Sequence, residues 1–310
     1  MRLDDLDPSD NVRDLGQGGG YGGGGFRGGG GGLIGILFSV LPMLLGRKMG
    51  CGTILLIGGA LAFFMFSGGL QQFAGTGSAP RSAQQSGQGS GNVACDTQAE
   101  QVACRILGST EQVWGSIFQQ VGQKYPATTL NFFTNSNQSA CGPAQSAMGP
   151  FYCPADQGVY LDTAFFDELA SRFGAAGDAA QAYVIAHEVG HHIQTISGDA
   201  EQIRKSQQRA SQAQANNLQV RMELQADCYA GVWAARAKGK SGQPLLEPGD
   251  FEEAMRAANA IGDDTLQRSA GQRPVPESFT HGSSEQRMRW LRRGMETGNP
   301  NSCDTFSGAI

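Results

Sequence analysis

The sequence predicts a mostly helical α+β domain with a small sheet over residues 94–310, preceded by a single transmembrane helix. Three observations predict it. Apolar residues recur at helical spacing through most of the second two thirds of the chain. Strand-like runs are few and short, and one of them reads as a hairpin. An uncharged apolar run, Met49–Leu70, interrupts a glycine-rich first third.

In chain order, residues 1–32 read as a disordered tail. Gly18–Gly20, Gly22–Gly25 and Gly28–Gly32 leave too little apolar area to offset their backbone entropy. Leu33–Leu45 is uncharged but short and is broken by Pro42, so residues 33–48 read as an interfacial pre-segment. Residues 49–70 reach about 33 Å as a helix, enough to cross a hydrocarbon core of about 30 Å. Arg2, Arg13, Arg27, Arg47 and Lys48 precede that run, and the next basic residue is Arg81. The positive-inside bias then puts the N-terminus in the cytoplasm and the domain outside it. Residues 71–93 are Gly, Ser, Gln and Ala with little else, a flexible linker.

Within 94–310, helical spacing covers 97–124, with Val102, Ile106, Val113 and Ile117 as its stripe. Residues 129–134 form a β-type run, and 150–162 a hairpin whose second arm is Val159-Tyr160-Leu161. Residues 178–197 form a helix with the stripe Ala182, Ile185, Val189, Ile193 and Ile196. Residues 200–238 and 248–262 are mainly helical, and Ser283 with Gln286 makes a capping box for a last helix. Arg287, Arg289, Arg292 and Arg293 on that helix read as a solvated face.

The charge balance, Lys+Arg 23 against Asp+Glu 28, speaks against a nucleic-acid partner. Leaving Cys51 aside, six cysteines remain in the domain. Six admit fifteen pairings. Local spacing favours Cys95–Cys104 and Cys141–Cys153, which leaves Cys228 with Cys303.

The chemistry concentrates in Ala186-His187-Glu188-Val189-Gly190-His191-His192, inside a predicted helix. His187 and His191 are four apart, so both rings leave one face and can grip one zinc ion. Glu188 is turned about 60° from His191, beside the ion without binding it, where it can take a proton from the attacking water and pass it to the leaving amine. His192 is turned about 140° from His187 and reads as a packing or hydrogen-bonding residue. A third histidine ligand would need Gly at 194 and His at 197, where the chain has Gln194 and Ser197. A carboxylate from a second helix is the other solution. Glu223 and Asp227 are again four apart: Glu223 completes a two-His, one-Glu set, and Asp227 accepts the second N–H of a ligand histidine.

These paired motifs resemble the gluzincins, the thermolysin-like zinc peptidases. More closely, the chain is similar to a bacterial family of neutral zinc metallopeptidases with one N-terminal membrane span. The matching stretches are Ser9-Asp10-Asn11-Val12, Cys141-Gly142, Ser146 through Asp156, Tyr183 through His192, Val220 through Trp233, and Ser278 through Ser284. The resemblance implies a zincin-like fold, one catalytic zinc, and hydrolysis of peptide or unfolded-protein substrates. It implies a single-pass protein of the bacterial inner membrane with its catalytic domain in the periplasm. Zincins hold substrate as an added strand on a sheet edge, and Val159, Tyr160 and Leu161 are the expected edge. His281, before the last helix, is the expected stabiliser of the oxyanion. The alternative is a zincin-like domain that binds peptides or proteins without cutting them.

Overall fold

The structure is a computed structural model and describes residues 1–16 and 94–310. It is mostly helical with a small sheet, as the apolar spacing predicts.

The N-terminal residues enter the domain directly. A 3-10 turn at Leu3–Asp5 leads into strand β1, Val12–Asp14. Helix α1, Gln98–Gln120, opens on a capping box in which Thr97 and Glu100 satisfy each other's backbone N–H groups. Strands β2 (Thr129–Phe132), β5 (Phe151–Cys153) and β6 (Gly158–Leu161) join β1 in one sheet of order β1-β2-β6-β5. β1, β2 and β6 run parallel, with Val12 opposite Leu130 and Leu130 opposite Val159, and β5 closes the sheet antiparallel. Strands β3 (Ser136–Ser139) and β4 (Gly142–Gln145) make a separate hairpin between β2 and β5.

The helical layer follows: α2 (Ala164–Ser171), α3 (Asp178–Ser197), α4 (Asp199–Gln207), α5 (Gln212–Arg236), α6 (Asp250–Ala260), α7 (Asp263–Ser269) and α8 (Ser284–Thr297). α3 ends at Gly198, whose φ of 88° lets the chain reverse without strain. Capping boxes at Ser211–Gln214 and Ser283–Gln286 start α5 and α8. The core lies between α1, α3, α5, α6, α8 and the sheet, with Trp114, Tyr183, Ile185, Leu224 and Leu291 fully buried. Disulfides join Cys95 to Cys104, Cys141 to Cys153, and Cys228 on α5 to Cys303.

Three expectations are corrected. Residues 1–32 were expected to be a disordered tail, but the first sixteen belong to the domain, and Leu6 and Val12 are in its core. The transmembrane helix and the single-pass inner-membrane placement also fall. Among the described residues no helix is long and apolar enough to cross a membrane. Because β1 and β2 share a sheet, residues 1–16 and 94–310 lie on one side of any membrane, so a single crossing between them is excluded. The expected span 49–70, the pre-segment 33–48 and the linker 71–93 lie outside the described residues. Val159, Tyr160 and Leu161 form β6, which is hydrogen-bonded on both sides and buried, so it offers no edge. The edge strand on that side is β5.

Candidate metal centre

The site forms where α3 crosses α5. Gly190 is the reason the two helices come so close: a Cβ there would stand 2.9 Å from both Cα and O of Ala226. Side chains one turn either side of this crossing are forced together. His187 and His191 leave the same face of α3, their rings edge-to-face with centroids 4.8 Å apart. Glu223 on α5 sends Oε2 to within 3.2 Å of His187 Nε2 and 3.5 Å of His191 Nε2. Ligand atoms of all three lie within 4.8 Å of one another.

The surrounding bonds fix these side chains. Asp227, one turn beyond Glu223, accepts from His187 Nδ1 at 2.8 Å. Gln194 donates its amide to Met222 O and Gln225 Oε1, so its Oε1 is the acceptor for His191 Nδ1 at 2.8 Å. Both histidines therefore carry a proton on Nδ1 and direct Nε2 toward Glu223. Gln219 donates to the other oxygen of Glu223 at 2.8 Å. Glu188 sits beside the histidines in the same cleft but outside the three-ligand group. His192 shares no part of it: its Nε2 donates to Pro126 O at 2.6 Å, and Nδ1 accepts from Tyr152 on β5.

Arg287 was expected on a solvated face, and the structure overturns this. It is 2 % exposed and grips the fully buried Asp227 through Nε to Oδ2 at 3.0 Å and Nη2 to Oδ1 at 2.9 Å. Tyr183 donates to Asp227 Oδ1 at 2.6 Å and accepts from Arg287. Glycines again permit the approach: a Cβ on Gly231 of α5 or Gly294 of α8 would clash with the facing helix backbone. Sequence reasoning missed Arg287, although a signal was present. Arg287, Trp290, Leu291 and Gly294 are spaced i, i+3, i+4, i+7, the buried stripe of α8.

The electrostatics follow from burial and charge. Burial opposes ionisation of Asp227, but Arg287 and His187 outweigh it and hold its pKa down at about 2. Burial likewise disfavours the charged Glu223, and the two histidines outweigh it, so its pKa falls well below the usual range. Burial disfavours a charged His187, but Asp227 and Glu223 raise it to about 10. The carboxylates thus demand positive charge among them, which a proton or a cation can supply. Glu188 shifts upward because burial exceeds the pull of the histidines.

His281 lies across the cleft on the loop before α8. Its Nδ1 is 3.2 Å from Asp263 Oδ1, and the other oxygen of Asp263 accepts the backbone N–H groups of Thr280, His281 and Gly282. The hydrogen bond to Asp263 raises the pKa of His281. The cleft has a volume of about 610 Å³, and Phe151 and Tyr152 of the edge strand β5 line it together with Val184 and Ile261.

The donor set fits zinc. With bonds of about 2.0–2.1 Å, tetrahedral ligands stand about 3.3 Å apart. The Glu223 oxygen meets that spacing to both histidines, at 3.2 and 3.5 Å. The family described as "Putative neutral zinc metallopeptidase" matches over residues 1–306. This chain belongs to that family. The match takes in the N-terminal segment as well as the metal helix. The uncharacterized protein YpfJ of Escherichia coli is 49 % identical over 215 residues, 69 % of this chain and 74 % of the relative. The uncharacterized protein Rv2575 of Mycobacterium tuberculosis is 43 % identical over 216 residues, 67 % of this chain and 72 % of the relative. No solved structure matches.

Proposed function

We propose that this zinc metallopeptidase family member hydrolyses peptide bonds by a gluzincin-type mechanism, with His187, His191 and Glu223 holding one zinc ion. The observation that carries the reading is the convergence of those three side chains from two helices, with ligand atoms within 4.8 Å of one another and the Glu223 oxygen 3.2 and 3.5 Å from the two histidines. When bound, zinc supplies Lewis acidity to the scissile carbonyl and to the attacking water.

The chain's own residues do the rest. Asp227 and Gln194 hold the histidine rings by their Nδ1 protons and keep each Nε2 turned inward. Glu188 takes the proton of the attacking water and returns it to the leaving amine; its burial favours a proton on it and suits that exchange. His281 faces Asp263 with Nδ1, which leaves Nε2 as the ring atom for a developing oxyanion. Peptide substrate lies along β5 as an added strand, because β5 pairs with β6 on one side and lines the cleft. Main-chain pairing of that kind accepts many sequences, so unfolded proteins are the expected substrate class.

The test separates metal from turnover. Glu188→Gln is expected to bind zinc stoichiometrically and to leave an unfolded protein uncut. His187→Ala, His191→Ala and Glu223→Ala are expected to lose both together. Full zinc and full activity in Glu223→Ala would place the third ligand elsewhere. Wild-type protein that holds zinc yet cuts no unfolded protein would favour the binding-only alternative.

A further inference from the structure

The first fourteen residues make contacts out of proportion to their length. The Met1 side chain is buried and lines a small apolar cavity with Tyr183, Trp233 and Leu291. Arg2 N donates to Leu245 O at 3.0 Å, and Asp5 O accepts from Lys240 N at 2.9 Å. The Asp5 carboxylate accepts from the backbone N–H and the hydroxyl of Ser241. Leu6 is buried in the core. Ser9 N donates to Cys104 O on α1 at 3.0 Å, and Ser9 Oγ and Asn11 Nδ2 both donate to Glu111 Oε1 at 2.8 Å. β1 then pairs with β2 along the side of the sheet opposite the cleft.

The receiving surface is shaped for this segment. A Cβ on Gly108 of α1 would lie 2.7 Å from Asp7 O, so that helix is bare where the segment crosses it. Charges match as well: Asp4 meets Arg105 at 3.1 Å, and Asp7 meets Lys240 at 2.8 Å. The contacts reach α1, β2 and the loop 238–245, parts of the chain that are distant in sequence. The segment therefore ties the sheet to the helical layer. It also covers the β2 edge, whose unpaired N–H and C=O groups would otherwise invite pairing with other chains.

We propose that residues 1–14 are a docked strand that the domain 94–310 binds without covalent help, so that residues 17–93 are an insertion that can be cut without parting the two pieces. The groove formed by α1, the β2 edge and the loop 238–245 is an interaction surface whose occupant is the chain's own N-terminal segment. Strand addition supplies main-chain bonds, and Leu6 and Val12 supply the buried anchors. The working unit is then a two-piece particle once the insertion is cut. A fragment that begins at residue 94 lacks one strand of its sheet.

The experiment uses the full chain with a specific protease site inserted after residue 85 and an affinity tag at the C-terminus. After cleavage, the N-terminal piece is expected to be captured with the tagged domain in equal amount, with Tm within a few degrees of the uncut chain. Leu6→Asp combined with Val12→Asp is expected to release that piece, with retention falling at least tenfold. Glu111→Ala, which trims one acceptor and leaves the core intact, is expected to weaken retention in the same direction. Release of the wild-type piece with Tm unchanged would overturn the proposal. So would unfolding on cleavage, because a covalent tether would then be required. Retention indifferent to all three substitutions would mean that other residues hold the pieces together, and would overturn it too. The readouts are mass, retention and Tm, so failure of the peptidase reading leaves this test untouched.

Discussion

Replacing Arg287 tests the link between the buried ion pair and the metal centre. Asp227 is fully buried, and its Oδ2 takes its donor from Arg287 Nε at 3.0 Å, while Oδ1 takes Arg287 Nη2, Tyr183 and His187. Arg287→Met removes the charge that compensates Asp227 and keeps most of the volume. Removing one partner of a buried pair costs about 3–5 kcal/mol. Typical domain stability is about 5–15 kcal/mol, so the variant stays folded but weakened. Arg287→Lys keeps a charge but loses the fork, and two charge-assisted bonds at about 1.5–3 kcal/mol each become one, so it falls between. Without Arg287, Asp227 keeps only Tyr183 and His187 as donors and holds the His187 ring less firmly, and zinc affinity is expected to fall about 10–100-fold. Urea unfolding with excess chelator measures the first effect, and competition with a chromophoric chelator the second. Adding Asp227→Asn to Arg287→Met is expected to recover stability, since no charge is then stranded, and to leave zinc binding weak. A loss below about 1 kcal/mol in Arg287→Met, together with unchanged zinc affinity, would refute the coupling.

Three further outcomes are expected. Gly190→Ala puts a methyl 2.9 Å from Ala226 of α5 and pushes the two helices apart, costing about 1–3 kcal/mol by overpacking and lowering zinc content, read by urea unfolding and metal analysis. His281 has a raised pKa, so its bond to Asp263 stabilises fully below the ordinary histidine value of about 6.5 and is lost as pH rises through the folded value. Asp263 has a lowered pKa, so its share is present above about 4 and is lost only in stronger acid. The Tm gap between wild type and His281→Gln is therefore expected to shrink from pH 5.5 to pH 9, and a gap that widens contradicts the assignment. Cys228–Cys303 closes 75 residues of sequence and Cys141–Cys153 closes 12, so on chain entropy Cys303→Ser costs about 4 kcal/mol against about 3 for Cys153→Ser, read from urea midpoints.

Local order was legible where the deciding interaction is itself local. The helix 178–197, the capping box at Ser283 and Gln286, and the two motifs spaced by four residues all depend on neighbours within two turns. The joint position of His187, His191 and Glu223 was legible because each motif fixes a helix face, and buried acids need partners. The edge strand was misassigned because both arms of the hairpin look alike from within. Only the pairing of β6 with β2, about thirty residues away, covers one arm and leaves Phe151–Cys153 open. The N-terminal strand was hidden by its surroundings. Leu3, Leu6 and Val12 are its few apolar anchors, and the glycine tract that follows them dominates any composition-based reading. Arg287 was hidden among Arg289, Arg292 and Arg293, of which Arg292 lies over Phe251 and Arg293 over Trp290.

Arg287 also explains how so many acids share one buried site. Glu188, Glu223 and Asp227 are all buried within two crossing helices, and three carboxylates in such a space repel one another. In the proposed mechanism two of them serve the metal position, Glu223 as a ligand and Glu188 as a base. Asp227 is needed in ionised form, because only the anion accepts strongly from His187 Nδ1. Arg287 cancels Asp227 locally, so that pair adds orientation without adding net charge. A bound dication would then face two neutral imidazoles and the carboxylates of Glu223 and Glu188, a set whose charges would sum to zero with both carboxylates ionised. A site built this way resists loss of either member of the Asp227–Arg287 pair less well than loss of both. The double variant in the first experiment reads that inequality directly.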